Sequence, residues 1–68
     1  MKISARNALA GKIVEIKKGV TTAHVMVDVG GTIVTASITN ESVDDLNLKV
    51  GESVHAVIKS SDVMIAVP

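Results

Sequence analysis

The sequence predicts a mainly β fold, a small OB-like five-stranded Greek-key barrel with one short helix between the third and fourth strands. Three observations predict it. Five short segments alternate apolar and polar residues or are rich in β-branched ones, as half-buried strands do. One segment, beginning at Glu41, changes to helical spacing. It falls between the third and fourth strand-like segments, and that order belongs to OB-type barrels.

The first strand is read over Ile13 to Lys18, with Glu15, Lys17 and Lys18 turned to solvent. Ile13 and Val14 are adjacent, so the alternation breaks there and marks a bulge or a coiled barrel strand. Gly19 is a turn residue. Thr21 to Val29 then sets Ala23, Val25, Val27 and Val29 on one face, with His24, Met26 and Asp28 on the other. Gly30-Gly31 supplies the positive φ angles of a tight hairpin. Thr32 to Thr39 is the third strand, with Val34, Ala36 and Ile38 sharing a face. In the helical segment Val43, Leu46 and Val50 fall on one side, acids occupy the first turns, and Thr39 or Asn40 caps the start. Gly51 closes it. Ser53 to Lys59 is the fourth strand, burying Val54, Ala56 and Ile58. After Ser60-Ser61-Asp62, the residues Val63, Ile65 and Val67 repeat the alternation as a fifth. No internal repeat or linker interrupts residues 1–68, which read as a single domain.

Composition narrows the function. A chain of 68 residues buries only about 60% of the surface its unfolded form exposes. Disulfides, metals or association usually make up the shortfall. There is no cysteine, and the two histidines, His24 and His55, stand far apart, so neither disulfides nor a metal cluster can serve. Yet 47% of the residues are apolar, more than one small core needs, which points to a homo-oligomer. Seven basic and seven acidic residues cancel, and there is no Phe, Tyr or Trp. Nucleic-acid binders need a basic excess and, for single strands, aromatic stacking, so that class is disfavoured. No apolar run approaches a membrane span, and no signal pattern opens the chain, so the expected location is cytoplasmic. Without a nucleophilic cysteine or a histidine with an acid–base companion, catalysis is not expected. The histidines oppose the apolar stripes and read as exposed or interface residues, and Met26 and Met64 as packing residues.

What remains is a set of donors at strand ends. Ser4-Ala5-Arg6-Asn7 places the only arginine between a hydroxyl and an amide, with no acid before Glu15. Thr39 and Ser42 flank the helix start, where unpaired N–H groups attract anions. Lys59-Ser60-Ser61 lies in the last connection. Taken singly, each reads more simply as an exposed arginine, a helix cap, or a solvated lysine beside turn residues. Together they describe a donor-rich anion site, gathered either at one barrel rim or across an oligomer interface.

The opening Ile3-Ser4-Ala5-Arg6-Asn7, the continuation Leu9-x-Gly11-Lys12-Ile13-Val14, the run Lys18-Gly19-Val20-x-Thr22-Ala23 and the ending Ala56-Val57-Ile58-Lys59-Ser60-Ser61-Asp62-Val63-Met64 resemble the molbindins. These are the small cytoplasmic molybdate-binding Mop proteins, similar also to the C-terminal modules of a molybdate-responsive regulator and a molybdate-transporter ATPase. The resemblance implies an OB-like fold, hexamers built as trimers of dimers, and molybdate or tungstate held between subunits for storage. It implies no organic cofactor and no direct protein–metal ligand. It assigns the oxyanion to Ser4, the Ala5 backbone, Arg6, Thr39, Ser42, Lys59 and Ser60, drawn from different subunits. A second, weaker oxyanion site on the oligomer axis would use the turn at Gly19, Val20 and Thr22. The chain departs from common members at Ala8-Leu9-Ala10, outside these ligands, and is slightly shorter near Gly30-Gly31.

The chemistry of the ligand agrees. Molybdate is a tetrahedral dianion with four acceptor oxygens and no proton. A shell of N–H, O–H and cationic donors satisfies it, whereas the proton of hydrogen phosphate would lack an acceptor. Glu41 and Asp62 are therefore expected to point away from the anion. The alternative function is a regulatory or interaction module of molybdate sensing or transport, which a chain this short leaves without an effector domain.

Overall fold

The computed structural model describes all 68 residues. Four strands form one antiparallel sheet: β1 (Asn7–Lys18), β2 (Thr22–Asp28), β3 (Ile33–Thr39) and β4 (Ser53–Ile58). A short helix α1 (Asn40–Asp45) joins β3 to β4, and a single 3-10 turn spans Ser60–Asp62. The sheet order is β3-β2-β1-β4, so β3 and β4 are both edges of a curled half-barrel.

β1 organises the rest by pairing twice. Its first half runs against β4, from Asn7 opposite Ile58 to Lys12 opposite Ser53. Its second half runs against β2, from Lys12 opposite Asp28 to Lys18 opposite Ala23. The exchange of partners needs a sharp coil, and Gly11 sits where β1 presses on β2. A Cβ on Gly11 would lie 2.4 Å from the Asp28 carbonyl oxygen. Val14 is the bulged residue expected from the broken alternation, since the register slips between Ile13 and Glu15. The strand begins six residues earlier than the sequence suggests. Ala8, Leu9 and Ala10 carry no inside–outside alternation because all three are exposed in a single protomer.

The other hairpin follows its residues closely. Gly30 and Gly31 take φ values of 103° and 97°, and Asp28 Oδ1 accepts from both of their N–H groups at 3.0 and 2.7 Å. Thr39 caps α1 with extended backbone, its Oγ1 accepting from the Ser42 N–H at 3.0 Å. The helix is shorter than its spacing implies. Asn47, at φ 52°, turns the chain left-handed, and the Leu48 and Asn47 N–H groups bond to the Val43 and Asp44 carbonyls. These two bonds are the pattern of a Schellman stop. Leu46 and Val50 therefore leave the helical face and are exposed, and only Val43 is buried.

Two faces of the curled sheet differ sharply. Ile13, Ala23, Val25, Val27 and Val43 form the buried core, and Ile16, Val29, Ala36, Ile38, Leu48 and Val54 pack around it half-buried. Full burial of a large apolar side chain contributes about 1.5–3 kcal/mol, so a core of five residues is thin for this chain. The fifth strand is not formed. Val63, Met64, Ile65 and Val67 are exposed and pair with no edge, so the protomer is a four-stranded half-barrel rather than a closed five-stranded one. The outer edges of β3 and β4 stay open, and the residues after Asp62 run on without joining either.

The Gly11 corner gives the first prediction. Gly11→Ala forces a methyl into backbone, and the expected loss is about 1–3 kcal/mol by equilibrium urea unfolding. A variant as stable as the parent would show that the corner relaxes freely.

Candidate functional site

The β1–β4 pairing brings the two ends of the chain together. Asn7 and Ile58 are the outermost pair, and Asn7 Nδ2 donates to the Ile58 carbonyl at 3.2 Å. Ser4, Ala5 and Arg6 lead into this pair, and Lys59 and Ser60 lead out of it. Ser4, Arg6, Lys59 and Ser60 are all exposed, with Ala5 half-buried. Neither cation is neutralised. The single ion pair of the chain joins Lys18 to Asp44 at 2.6 Å. Glu41 and Asp62, the acids nearest the candidate donors in sequence, make no ion pair.

A second group forms at the other end of β1. Thr22 and Thr39 are cross-strand partners, which sets the helix start beside the Gly19–Thr22 turn. Thr39 donates its hydroxyl to Ser42 Oγ at 2.8 Å, so both hydroxyls sit together at the first turn of α1. Asn40 fastens this turn to the hairpin. Its backbone N–H donates to the Thr21 carbonyl at 2.8 Å, and its Nδ2 donates to the carbonyls of Gly19 at 2.9 Å and Val20 at 3.3 Å.

The seven residues of the main candidate site are thus brought together only in part. Ser4, Ala5, Arg6, Lys59 and Ser60 share one end of β1, while Thr39 and Ser42 share the other with Gly19, Val20 and Thr22. Eleven residue steps at about 3.3 Å separate the two ends along a twelve-residue strand. Within one protomer, then, the two sets stand at opposite ends of β1 rather than along one rim.

Two hollows mark the surface. The larger, about 480 Å³, lies inside the curl and is lined mainly by apolar side chains such as Val25, Ile38 and Val54. It offers too few donors for a dianion. The smaller, about 290 Å³, is lined by Lys17, Lys18, Gly19, Thr22 and His24. Lys17, His24 and the fastening role of Asn40 escaped the sequence reading. Counting back from the turn would have set Lys17 opposite His24, but nothing local to Asn40 separates a turn-pinning amide from an ordinary helix-start residue.

The fold is shared with known proteins. Residues 3–65 match the TOBE domain. Over 66 residues the chain is 53% identical to molybdenum-pterin-binding protein 3 of Clostridium pasteurianum, covering 96% of this chain and 97% of that one. The molybdate binding protein from Sporomusa ovata superposes with a TM-score of 0.93 at 41% identity, over 97% of this chain and 98% of that one. The cytoplasmic molybdate-binding protein ModG, in a form with molybdate bound, gives 0.94 at 43% identity, with all of this chain covering 49% of that one. The fold defines a small, mainly β module of one curled four-stranded sheet with a short helix. The chain belongs to the TOBE domain family, among its molybdenum-pterin-binding (Mop) members.

Thr39 is both cap and candidate ligand, and the two roles separate by substitution. Thr39→Ala removes the acceptor for the Ser42 N–H and is expected to cost about 1 kcal/mol in thermal or urea unfolding. Thr39→Ser restores the acceptor and should restore the stability.

Proposed function

We propose that this chain binds molybdate or tungstate and stores it at the subunit interfaces of a homo-oligomer, a hexamer arranged as a trimer of dimers. The observation that carries the reading is the pair of unneutralised cations, Arg6 and Lys59. They are gathered with the Ser4 and Ser60 hydroxyls at the end of β1, away from the Thr39–Ser42 pair that would complete the shell. In this reading Arg6 and Lys59 offset the two negative charges. Ser4, Ser60 and the Ala5 backbone supply hydrogen bonds from one protomer, and Thr39 and Ser42 supply them from a neighbour. Gly19, Val20 and Thr22 belong to a second, weaker site.

Association is supported independently. Only five residues are buried in one protomer, and the alternating Val63–Val67 tail lies open along with the unpaired edges of β3 and β4. A second copy offers such a tail an edge to pair with, and would close each half-barrel toward the five-stranded form. Residues 1–68 then act as one Mop domain whose site is a property of the assembly.

The anion is cargo, not a reagent, so the protein acts as a binding protein rather than an enzyme, working in the cytoplasm. The relatives' name couples molybdenum to a pterin. A pterin is a flat heteroaromatic that proteins hold by stacking, and this chain has no Phe, Tyr or Trp to stack on it. The inorganic oxyanion fits the available donors better. Sulfate shares the charge and shape and differs in size, so selectivity lies in how closely the neighbouring protomers approach.

Calorimetric titration with molybdate, with sulfate in excess as competitor, tests the proposal. Saturable binding should survive sulfate, and Arg6→Ala or Lys59→Ala should weaken it by roughly tenfold or more, the loss of a charged hydrogen bond. An intact oligomer that takes up no molybdate at millimolar concentration would defeat the storage reading.

A further inference from the structure

The outermost pair of the β1–β4 ladder, Asn7 opposite Ile58, is tied by a side chain: Asn7 Nδ2 donates to the Ile58 carbonyl at 3.2 Å. Arg6 stands one residue before this tie and Lys59 one residue after it. We propose that Asn7 is a positioning residue of the oxyanion site, holding the two cations at a fixed separation and keeping the Ile58 carbonyl off the anion. The inference rests on the oxyanion reading above, in which Asn7 has no part.

Place supplies the first argument. The ends of a strand ladder fray, because their residues have neighbours on one side only. β1 begins at Asn7 and β4 ends at Ile58, so no strand pairing beyond this pair holds the segments that carry the cations. The Asn7 amide joins those segments across 51 residues of chain. Asn7 is half-buried against the ladder, whereas Arg6 and Lys59 are exposed, and Lys59 gives no side-chain cap to the turn that follows it. The asparagine faces the protein and leaves the cations free for a ligand.

The second argument concerns acceptors. Bare carbonyl oxygens repel a dianion, and the run from Ile58 to Ser60 carries three. Each is occupied: Ile58 accepts from Asn7, Lys59 from the Asp62 N–H at 2.9 Å, and Ser60 from the Val63 N–H at 3.3 Å. The last two bonds belong to the 3-10 turn, which backbone alone builds. The Ile58 carbonyl lies before that turn and takes a side-chain donor. An asparagine amide can donate there, whereas an ionised aspartate of the same shape has only acceptors. Losing the tie would also blunt selectivity. Sulfate is the smaller ion, and cations free to approach each other would grip it as readily as molybdate.

Calorimetric titration of the parent, Asn7→Ala and Asn7→Leu with molybdate and separately with sulfate tests the role, with native mass spectrometry to verify assembly. Both variants should assemble and bind molybdate roughly tenfold more weakly than the parent. Their molybdate-to-sulfate affinity ratio should also fall, which a loss of stability alone would not change. Variants that assemble and keep the parent's affinity and ratio overturn the proposal and leave the storage reading standing. Variants that both fail to assemble make Asn7 a structural residue of the oligomer and overturn it as well. A parent oligomer that binds no molybdate defeats the storage reading, and this inference with it.

Discussion

The double pairing of β1 is the constraint on which the molecule depends. One twelve-residue strand serves β4 along its first half and β2 along its second, and the change of partner at Gly11 and Lys12 curls the sheet. The same pairing determines where the chemistry can be. Residues before β1 meet those after β4 at one end, and the β1–β2 turn meets the start of α1 at the other. A carbonyl oxygen at 2.4 Å from the missing Cβ of Gly11 shows how little slack that corner has.

Charge and burial then lead to the same conclusion from different sides. Arg6 and Lys59 stand exposed without partners, which is unremarkable for surface cations in water but apt for a dianion brought between two proteins. At the proposed interface the dielectric would fall and each charged hydrogen bond would strengthen. The apolar surplus works alongside. With five buried residues, an exposed Val63–Val67 tail and two open sheet edges, the isolated protomer is poorly stabilised. Association would supply the missing burial and build the anion shell in one event. Binding and assembly are then linked, and the anion should stabilise the oligomer by mass action.

The parts legible in the sequence were those where neighbours in the chain decide the outcome. Alternation located β2, β3 and β4, Gly30-Gly31 located a hairpin, and Thr39 was recognisable as a cap. The misjudged parts depend on distant residues. Ala8-Leu9-Ala10 shows no period yet lies in the first half of β1, because β4 stands opposite. Leu46 and Val50 keep helical spacing, but the left-handed Asn47 ends the helix before either can use it. Val63, Ile65 and Val67 alternate as a strand should, yet join neither open edge of the sheet. The site divides in the same way. Donor types at strand ends and the molbindin resemblance named the candidates, and the strand register decided which of them can meet. Lys17 and His24 became visible only through that register.

The central claim, that two protomers share one oxyanion, is tested most directly by mixing. Arg6→Ala/Lys59→Ala and Thr39→Ala/Ser42→Ala each remove one half of the shell, so neither oligomer alone should retain molybdate at the main site. The two variants, dissociated together and reassembled, create interfaces in which an intact half from one meets an intact half from the other. Equilibrium dialysis of the mixed oligomer should then recover a fraction of the parent's molybdate at that site. Mixed oligomers, verified by native mass spectrometry, that bind no more than the separate variants would contradict a site shared between protomers.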